Sequence, residues 1–115
     1  MFFPIPHRAV KLEGIFCGQA VISSRGDITV EAVPIDDLIV RREIPPPRLV
    51  EIDIEGAEAA ALKGAWERLG RWRPLICVGT HGPAVHNECL SLLSELSYEI
   101  SNTARHDELI ALPSP

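Results

Sequence analysis

The segment from Leu49 to Glu55 alternates between aliphatic and acidic side chains, which predicts a β-strand. A period of two residues is the signature of a strand that buries one face, and three β-branched residues alternate here with three acids. After Gly56 the sequence changes to Ala, Leu, Lys and Glu, which are strong helix formers. The pattern therefore predicts a strand that turns abruptly into a helix running from Gly56 to about Leu69.

The rest of the chain is predicted to alternate between strands and helices. Residues 75–79 form a continuous apolar run, which is typical of a strand buried on both faces of a parallel sheet. The other predicted elements are a hairpin of 14–23 and 28–33, a short helix over Pro34–Val40, a helix from Pro83 with an apolar stripe to Leu96, and a terminal hairpin of Tyr98–Ser101 and Glu108–Leu112. Residues 1–13 are expected to be an exposed lead-in with little regular structure. This order predicts an α/β fold with a mostly parallel sheet and a terminal antiparallel hairpin.

The composition narrows the class of protein. A chain of 115 residues is one domain or part of one, and its net charge of −5 argues against a nucleic-acid-binding face. No apolar run is long enough to cross a membrane, and the first residues lack the pattern of a signal peptide, so a cytoplasmic protein is expected. The three cysteines are widely spaced, which indicates buried free thiols rather than a zinc site or a disulfide framework.

Asp53, Glu55 and Glu58 crowd the predicted bend between the strand and the helix. Ligands of open α/β sheets bind at the carboxyl ends of strands, and Asp is disfavoured within strands, so these acids are candidates for a functional site. The alternative interpretation is structural. Glu58 would compensate the helix dipole, and Asp53 or Glu55 would accept hydrogen bonds from free backbone N–H groups.

Two further positions allow a functional and a structural interpretation. Asp36 lies in the first turn of the predicted short helix, where an acid also compensates the helix dipole. His81 follows the 75–79 strand and is either a base that titrates near neutral pH or a loop histidine. Asp53, Glu55 and Asp36 also offer oxygen ligands for a divalent cation in a phosphoryl-transfer or hydrolytic enzyme. No phosphate-binding loop accompanies them, so no metal ligand is assigned.

Five segments of the sequence resemble the FkbM-type methyltransferases. The central segment, residues 52–58, reads I-D-I-E-G-A-E, close to the I-D-V-E-G-A-E motif of that family. The other segments are V-P-I-D-D-L at 33–38, A-L-K-G-A at 61–65, R-P-L-I at 73–76 and H-G at 81–82, in the order that the family has them. The resemblance extends over roughly residues 18–112.

The resemblance implies a Rossmann-like class I methyltransferase that uses S-adenosylmethionine, typically to methylate a hydroxyl oxygen of a small molecule or glycan. Methyl transfer to a hydroxyl is helped by a carboxylate that orients the group and takes up its proton. Asp53 is the best candidate for that role, Glu55 is second, and His81 is an alternative base. Asp36 and Asp53 are assigned to the cofactor, and Glu58 and His81 to the acceptor.

The sequence also departs from the family pattern, and the departures predict an incomplete enzyme. Residues 14–115 would be a partial domain without the N-terminal strands and the glycine-rich loop that hold most of the cofactor. Glu51 stands where the family usually has Lys, and Gly79 where it usually has Glu. We therefore expect the chain to be inactive alone, as a fragment or as a half-domain that needs a partner, and to self-associate through an open sheet edge.

Overall fold

The computed structural model describes residues 8–13, 21–101, 103 and 105–114, which form two β-sheets and four helices. The elements are β1 (Arg8–Glu13), β2 (Val21–Ile22), β3 (Ile28–Ala32), α1 (Ile35–Val40), β4 (Leu49–Ile52), α2 (Glu58–Gly64), α3 (Trp66–Trp72), β5 (Leu75–Gly79), α4 (Pro83–Glu95), β6 (Tyr98–Ser101) and β7 (Glu108–Pro113). Over these residues no helix combines the length and the apolarity that crossing a membrane requires. The fold is a small mixed α/β domain.

The larger sheet has the strand order β4-β5-β7-β6. Strands β4 and β5 are parallel, with Ile52 opposite Val78, whereas the β5–β7 and β6–β7 pairs are antiparallel. The terminal hairpin is thus confirmed. The expectation of a mostly parallel sheet is wrong for the described strands, because β7 returns beside β5 and only one of the three pairings is parallel.

The smaller sheet corrects the prediction for the first part of the chain. Its order is β2-β1-β3, so β1 lies between the two segments that were expected to pair with each other. Strand β1 is antiparallel to β3, with Val10 opposite Val30 and Leu12 opposite Ile28. These apolar residues pair with a strand that is distant in the sequence. The local pattern of residues 1–13 therefore did not predict strand β1. Residues 1–7 and 14–20, including Cys17, lie outside the described residues.

The helix expected from Gly56 to about Leu69 is two helices, α2 and α3, which meet at Ala65 with φ −111° and ψ 7°. The second helix begins there because Asp36 caps it from α1. The carboxylate of Asp36 accepts hydrogen bonds from the backbone N–H groups of Glu67 at 3.0 Å and Arg68 at 3.1 Å. The capping residue lies 31 positions earlier in the chain, so the local sequence around Ala65 does not predict the cap.

The core packs α2, α3 and α4 against the larger sheet. Leu62 of α2, Ile76 of β5 and Leu93 of α4 are fully buried. Cys89 is also fully buried as a free thiol, and burial, followed by the charges of Glu58 and Glu88, raises the pKa of its thiol to about 11. The expected burial is thus confirmed for Cys89, whereas Cys77 is a free cysteine that is only partly buried. The two parallel strands and their helices form a packed base for the loops that follow β4 and β5.

Candidate active site

The carboxyl ends of β4 and β5 lie side by side, which brings two functional loops together. The parallel register pairs Ile52 with Val78, so Asp53 emerges beside Gly79 and the loop that carries His81. A side chain at position 79 would crowd this arrangement, because a Cβ there would lie 3.3 Å from Cγ of Asp53. Gly79 therefore leaves the space beside the strand end that the Asp53 carboxylate fills.

A buried carboxylate ties the two loops together. The side chain of Glu58 is fully buried, and its Oε2 accepts hydrogen bonds from the backbone N–H of Ile54 at 3.0 Å and of Gly56 at 2.9 Å. Its Oε1 accepts a bond from the backbone N–H of His81 at 3.1 Å. The carboxylate thus lies inside the domain, where it shapes the β4–α2 bend and the β5–α4 loop. The assignment of Glu58 to the acceptor stays a prediction.

The bend itself adopts an uncommon backbone conformation. Glu55 has φ 55° and Gly56 has φ 105°, and a left-handed conformation costs energy for a residue with a side chain. The bonds that Glu58 accepts from the N–H groups on either side of Glu55 hold the chain in this shape. The left-handed turn aims the Glu55 carboxylate at the neighbouring loop.

His81 connects all three acids of the bend. Its Nδ1 lies 3.2 Å from Oε1 of Glu58, and its Nε2 lies 3.3 Å from Oδ1 of Asp53 and 3.5 Å from Oε1 of Glu55. The Asp53 side chain is 65% exposed, against 27% for Glu55 and 34% for His81. The structure therefore brings together the three residues that the sequence marked as catalytic candidates, with Asp53 outermost.

The electrostatics of this group favour a charged pair between Glu58 and His81. The hydrogen bond to Glu58 raises the pKa of His81 most; burial opposes it, and the charges of Glu58, Glu55 and Asp53 add to the increase. Burial alone would raise the pKa of Glu58, but hydrogen bonds from Gly56, the His81 ring and Ile54 outweigh it, so this pKa is lowered. Each partner thus stabilises the charged form of the other.

Asp36 is not brought into this group. Its carboxylate is engaged at the start of α3, as described above. Burial raises its pKa, and the bonds from Arg68 and Glu67 counteract that effect. The Asp36 carboxylate therefore has a structural role here, and its assignment to the cofactor stays a prediction.

A cavity at the same edge of the sheet was not predicted from the sequence. It measures about 250 Å³ and is lined by residues of the β5–α4 loop, of α4 and of the β6–β7 loop. Oγ1 of the buried Thr80 lies 2.8 Å from Nδ1 of His86 at its wall. His86 has no role predicted from the sequence, although its place in the first turns of the helix that follows Thr80 was the available signal.

Acidic and imidazole groups at adjacent carboxyl ends of parallel strands are typical of α/β proteins that bind and transform small ligands. The chain belongs to the FkbM methyltransferase family, because residues 7–100 match the Methyltransferase FkbM domain. It is similar to the hexuronic acid methyltransferase AglP of Haloferax volcanii, with 30% identity over 95 residues. That match covers 81% of this chain and 39% of AglP, so the chain spans about two fifths of the length of this relative. No solved structure matches the chain.

Proposed function

We propose that the chain forms the acceptor-facing part of an S-adenosylmethionine-dependent O-methyltransferase that acts on a hydroxyl of a small molecule or glycan. The family match supports methyl transfer. The observation that carries the proposal is the exposed Asp53 carboxylate at the end of β4, held beside His81 of the neighbouring loop at 3.3 Å. In this reading the larger sheet is the C-terminal part of a Rossmann-like domain.

The side chains fit a reaction between a cationic methyl donor and a hydroxyl. When bound, S-adenosylmethionine supplies an electrophilic methyl group on a positively charged sulfonium, and the exposed carboxylate of Asp53 suits that charge. Asp53 also accepts the hydrogen bond of the acceptor hydroxyl and takes up its proton, as a general base does. Glu55, less exposed at 27%, is the second carboxylate in reach of the same space.

His81 and Glu58 position Asp53 in this proposal. The His81 ring is fixed at Nδ1 by the buried Glu58, so its Nε2 faces Asp53 and limits how far that carboxylate can rotate. A catalytic group held by such contacts needs less reorganisation when substrate binds. The acceptor is proposed to extend toward the cavity beside Thr80 and His86. Because AglP is named a hexuronic acid methyltransferase, glycosides of hexuronic acids are the first acceptors to test.

The test measures transfer of a labelled methyl group from S-adenosylmethionine to hexuronic acid glycosides and to neutral hexosides. It uses the chain together with any coding sequence found in frame upstream. We expect methylated product, and we expect Asp53→Asn to lower turnover about a hundredfold or more, since general-base catalysis contributes at that scale. The matched control is Asp37→Asn, an acid of α1 that pairs with Arg41. Full turnover by Asp53→Asn would refute the role of Asp53, and transfer to no hydroxyl would refute the proposal.

A further inference from the structure

We propose that Asp53, Glu55 and His81 bind a divalent metal ion, with Mn²⁺ or Zn²⁺ as the best-suited ions. Metal binding stands on the geometry of these three side chains alone. The part that the ion would play in methyl transfer rests on the proposed function. The set differs from the Asp53, Glu55 and Asp36 combination considered from the sequence, because His81 replaces the distant Asp36.

The distances within the group are close to those of a coordination shell. One ligand atom from each of the three residues lies within 4.8 Å of the others. Nε2 of His81 lies 3.3 Å from Asp53 and 3.5 Å from Glu55. Two ligands bound about 2.1 Å from one ion lie roughly 3.0 to 3.4 Å apart at the angles of octahedral and tetrahedral sites. The exposed Asp53 side chain can make the remaining adjustment by rotating about its own bonds.

The buried Glu58 supplies what a metal-binding histidine requires behind it. Histidine ligands almost always donate their second ring N–H to a carboxylate or carbonyl, which fixes the tautomer and the orientation of the ring. Here Glu58 Oε1 accepts from Nδ1 of His81 at 3.2 Å, while its Oε2 is held by two backbone N–H groups. Nδ1 therefore keeps its proton. When Nε2 gives up its own proton to a metal ion, the lone pair on Nε2 faces the two outward carboxylates.

The charge and ligand chemistry select the kind of ion. Glu58 is already engaged by its hydrogen bonds to the two loops and to Nδ1 of His81. The two outward carboxylates, of Asp53 and Glu55, converge on the other nitrogen of the same ring. One nitrogen and two oxygens suit first-row divalent ions better than Ca²⁺ or Mg²⁺, which prefer oxygen ligands. A proton on Nε2 and a metal ion are alternative occupants of the same position. The ion can bind both carboxylates at the same time, whereas the two carboxylates have to share a single proton.

The remaining coordination positions would face solvent, because Asp53 is the outermost ligand at 65% exposure. In the proposed methyltransferase, the hydroxyl oxygen of the acceptor would take one of them. A bound divalent ion lowers the pKa of an oxygen ligand, so the hydroxyl would release its proton more readily to the free carboxylate oxygen of Asp53. The ion would thus position and acidify the acceptor without replacing Asp53.

The test is calorimetric titration of the EDTA-treated chain with MnCl₂ and, separately, ZnCl₂, together with pulsed electron paramagnetic resonance of the Mn²⁺ complex. We expect one ion per chain and a nitrogen coupling from one imidazole. His81→Gln should remove the nitrogen coupling, and His81→Gln, Asp53→Asn and Glu55→Gln should each weaken binding about tenfold or more. The controls are Asp37→Asn and His86→Gln, which leave all three ligands in place and should bind normally.

Two outcomes would overturn the metal site. One is the absence of saturable binding of either ion below about 1 mM, since a site with this ligand set should bind more tightly than that. The other is metal binding that His81→Gln and Asp53→Asn leave unchanged. Circular dichroism of each variant guards against loss of fold, and Asp53→Asn provides a test at an exposed position. Metal binding by the chain, with no methyl transfer by the protein that includes the in-frame upstream sequence, would refute the proposed function and leave the metal site intact. Methyl transfer that is insensitive to EDTA, with no binding of either ion, would do the reverse.

Discussion

The two ends of the larger sheet use polar residues in opposite ways. At the amino end, the Tyr98 hydroxyl donates to the carbonyl of Pro74 at 2.7 Å in a buried contact. The guanidinium of Arg73 donates to the carbonyl oxygens of Leu96 and Ser97 and lies 4.3 Å from the centre of the Tyr98 ring. These groups bond one another and close that end of the sheet.

At the carboxyl end, only the buried acid, Glu58, has all its contacts within the domain. Glu58 is fully buried and fully engaged, whereas the carboxylates of Asp53 and Glu55 are turned outward and share one ring nitrogen of His81. Carboxylate oxygens accept several hydrogen bonds each, so this end retains capacity for a ligand. The two ends therefore differ in how much acceptor capacity remains open to solvent, rather than in charge itself, and the carboxyl end is the candidate for ligand binding.

The largest expected effect on stability comes from replacing the buried carboxylate of Glu58 at the carboxyl end. Glu58→Gln places an amide N–H₂ group among backbone donors, so we expect a loss of about 3 kcal/mol in the free energy of unfolding. Urea denaturation measures it. The control is Glu88→Gln, which removes an exposed pair with Lys63 and should cost less than about 1 kcal/mol. Equal effects of the two variants would contradict the role of Glu58 as the tie between the loops.

The next effect belongs to the amino end. Tyr98→Phe keeps the ring against Arg73 but leaves the Pro74 carbonyl without its donor. A buried carbonyl that loses its partner costs about 1 to 2 kcal/mol, again measured by urea denaturation. Since Tyr98 lies at the closed end, methyl transfer and metal binding should keep their wild-type values. A loss of either in Tyr98→Phe at unchanged stability would break the distinction between the two ends.

The Tyr98 hydroxyl also makes the stability contribution of the amino end depend on pH. Burial raises the pKa of Tyr98, and the charge of Arg73 only partly offsets it. A raised pKa in the folded state means that the contribution of Tyr98 is fully present below the unfolded value of about 10 and is lost as the pH rises through the folded value. The stability difference between wild type and Tyr98→Phe should therefore shrink above about pH 10. A difference that stays constant to pH 11 would exclude this linkage.

A smaller effect tests the capping role of Asp36. Asp36→Ala removes the acceptor for the N–H groups of Glu67 and Arg68 and should cost about 1 kcal/mol, as loss of a helix cap does. Asp37→Ala, on the same short helix, is the matched control and should cost less. Calorimetry with S-adenosylmethionine completes the test. Weaker binding of the cofactor by Asp36→Ala at unchanged stability would favour the assignment made from the sequence over a purely capping role.

The smallest effect on stability, with a clear effect on the site, is expected for Gly79→Ala. The added methyl group would lie 3.3 Å from Cγ of Asp53, so the exposed carboxylate should shift by a few tenths of an ångström. Gly70→Ala is the control, because its new contact with Leu96 at 3.6 Å is ordinary. We expect weaker Mn²⁺ binding only for Gly79→Ala, with unfolding free energies changed by about 0.5 kcal/mol at position 79. Unchanged Mn²⁺ affinity would show that the ion does not need Asp53 in its present place.

Local periodicity was enough to predict the elements whose apolar residues follow a regular helical or strand pattern within the segment itself. Strand β5, helix α4 and the terminal hairpin follow the predicted ranges. Strand β1 and the break at Ala65 were missed because their causes are remote. Val10 and Leu12 pair across the chain with β3, and the cap that starts α3 comes from α1.

The candidate site was predictable to a similar extent. The convergence of Asp53, Glu55 and His81 follows from two consecutive parallel strands, whose carboxyl ends share an edge. The inward direction of Glu58 was not predictable, because an acid in the first turn of a helix has the same sequence signature whether it faces solvent or closes a loop. Its burial depends on how the β5–α4 loop crosses over it, a tertiary feature.

The interior position of Glu58 separates the shape of the site from its chemistry. The loops keep their form through a fully buried residue, while the outermost side chains, Asp53 above all, contribute little to that form. Exchanges at positions 53 and 55 should therefore lower metal binding and methyl transfer without unfolding the domain. A library varied at these two positions, on an unaltered Glu58 background, would show which side chains the chemistry requires while the fold is held constant.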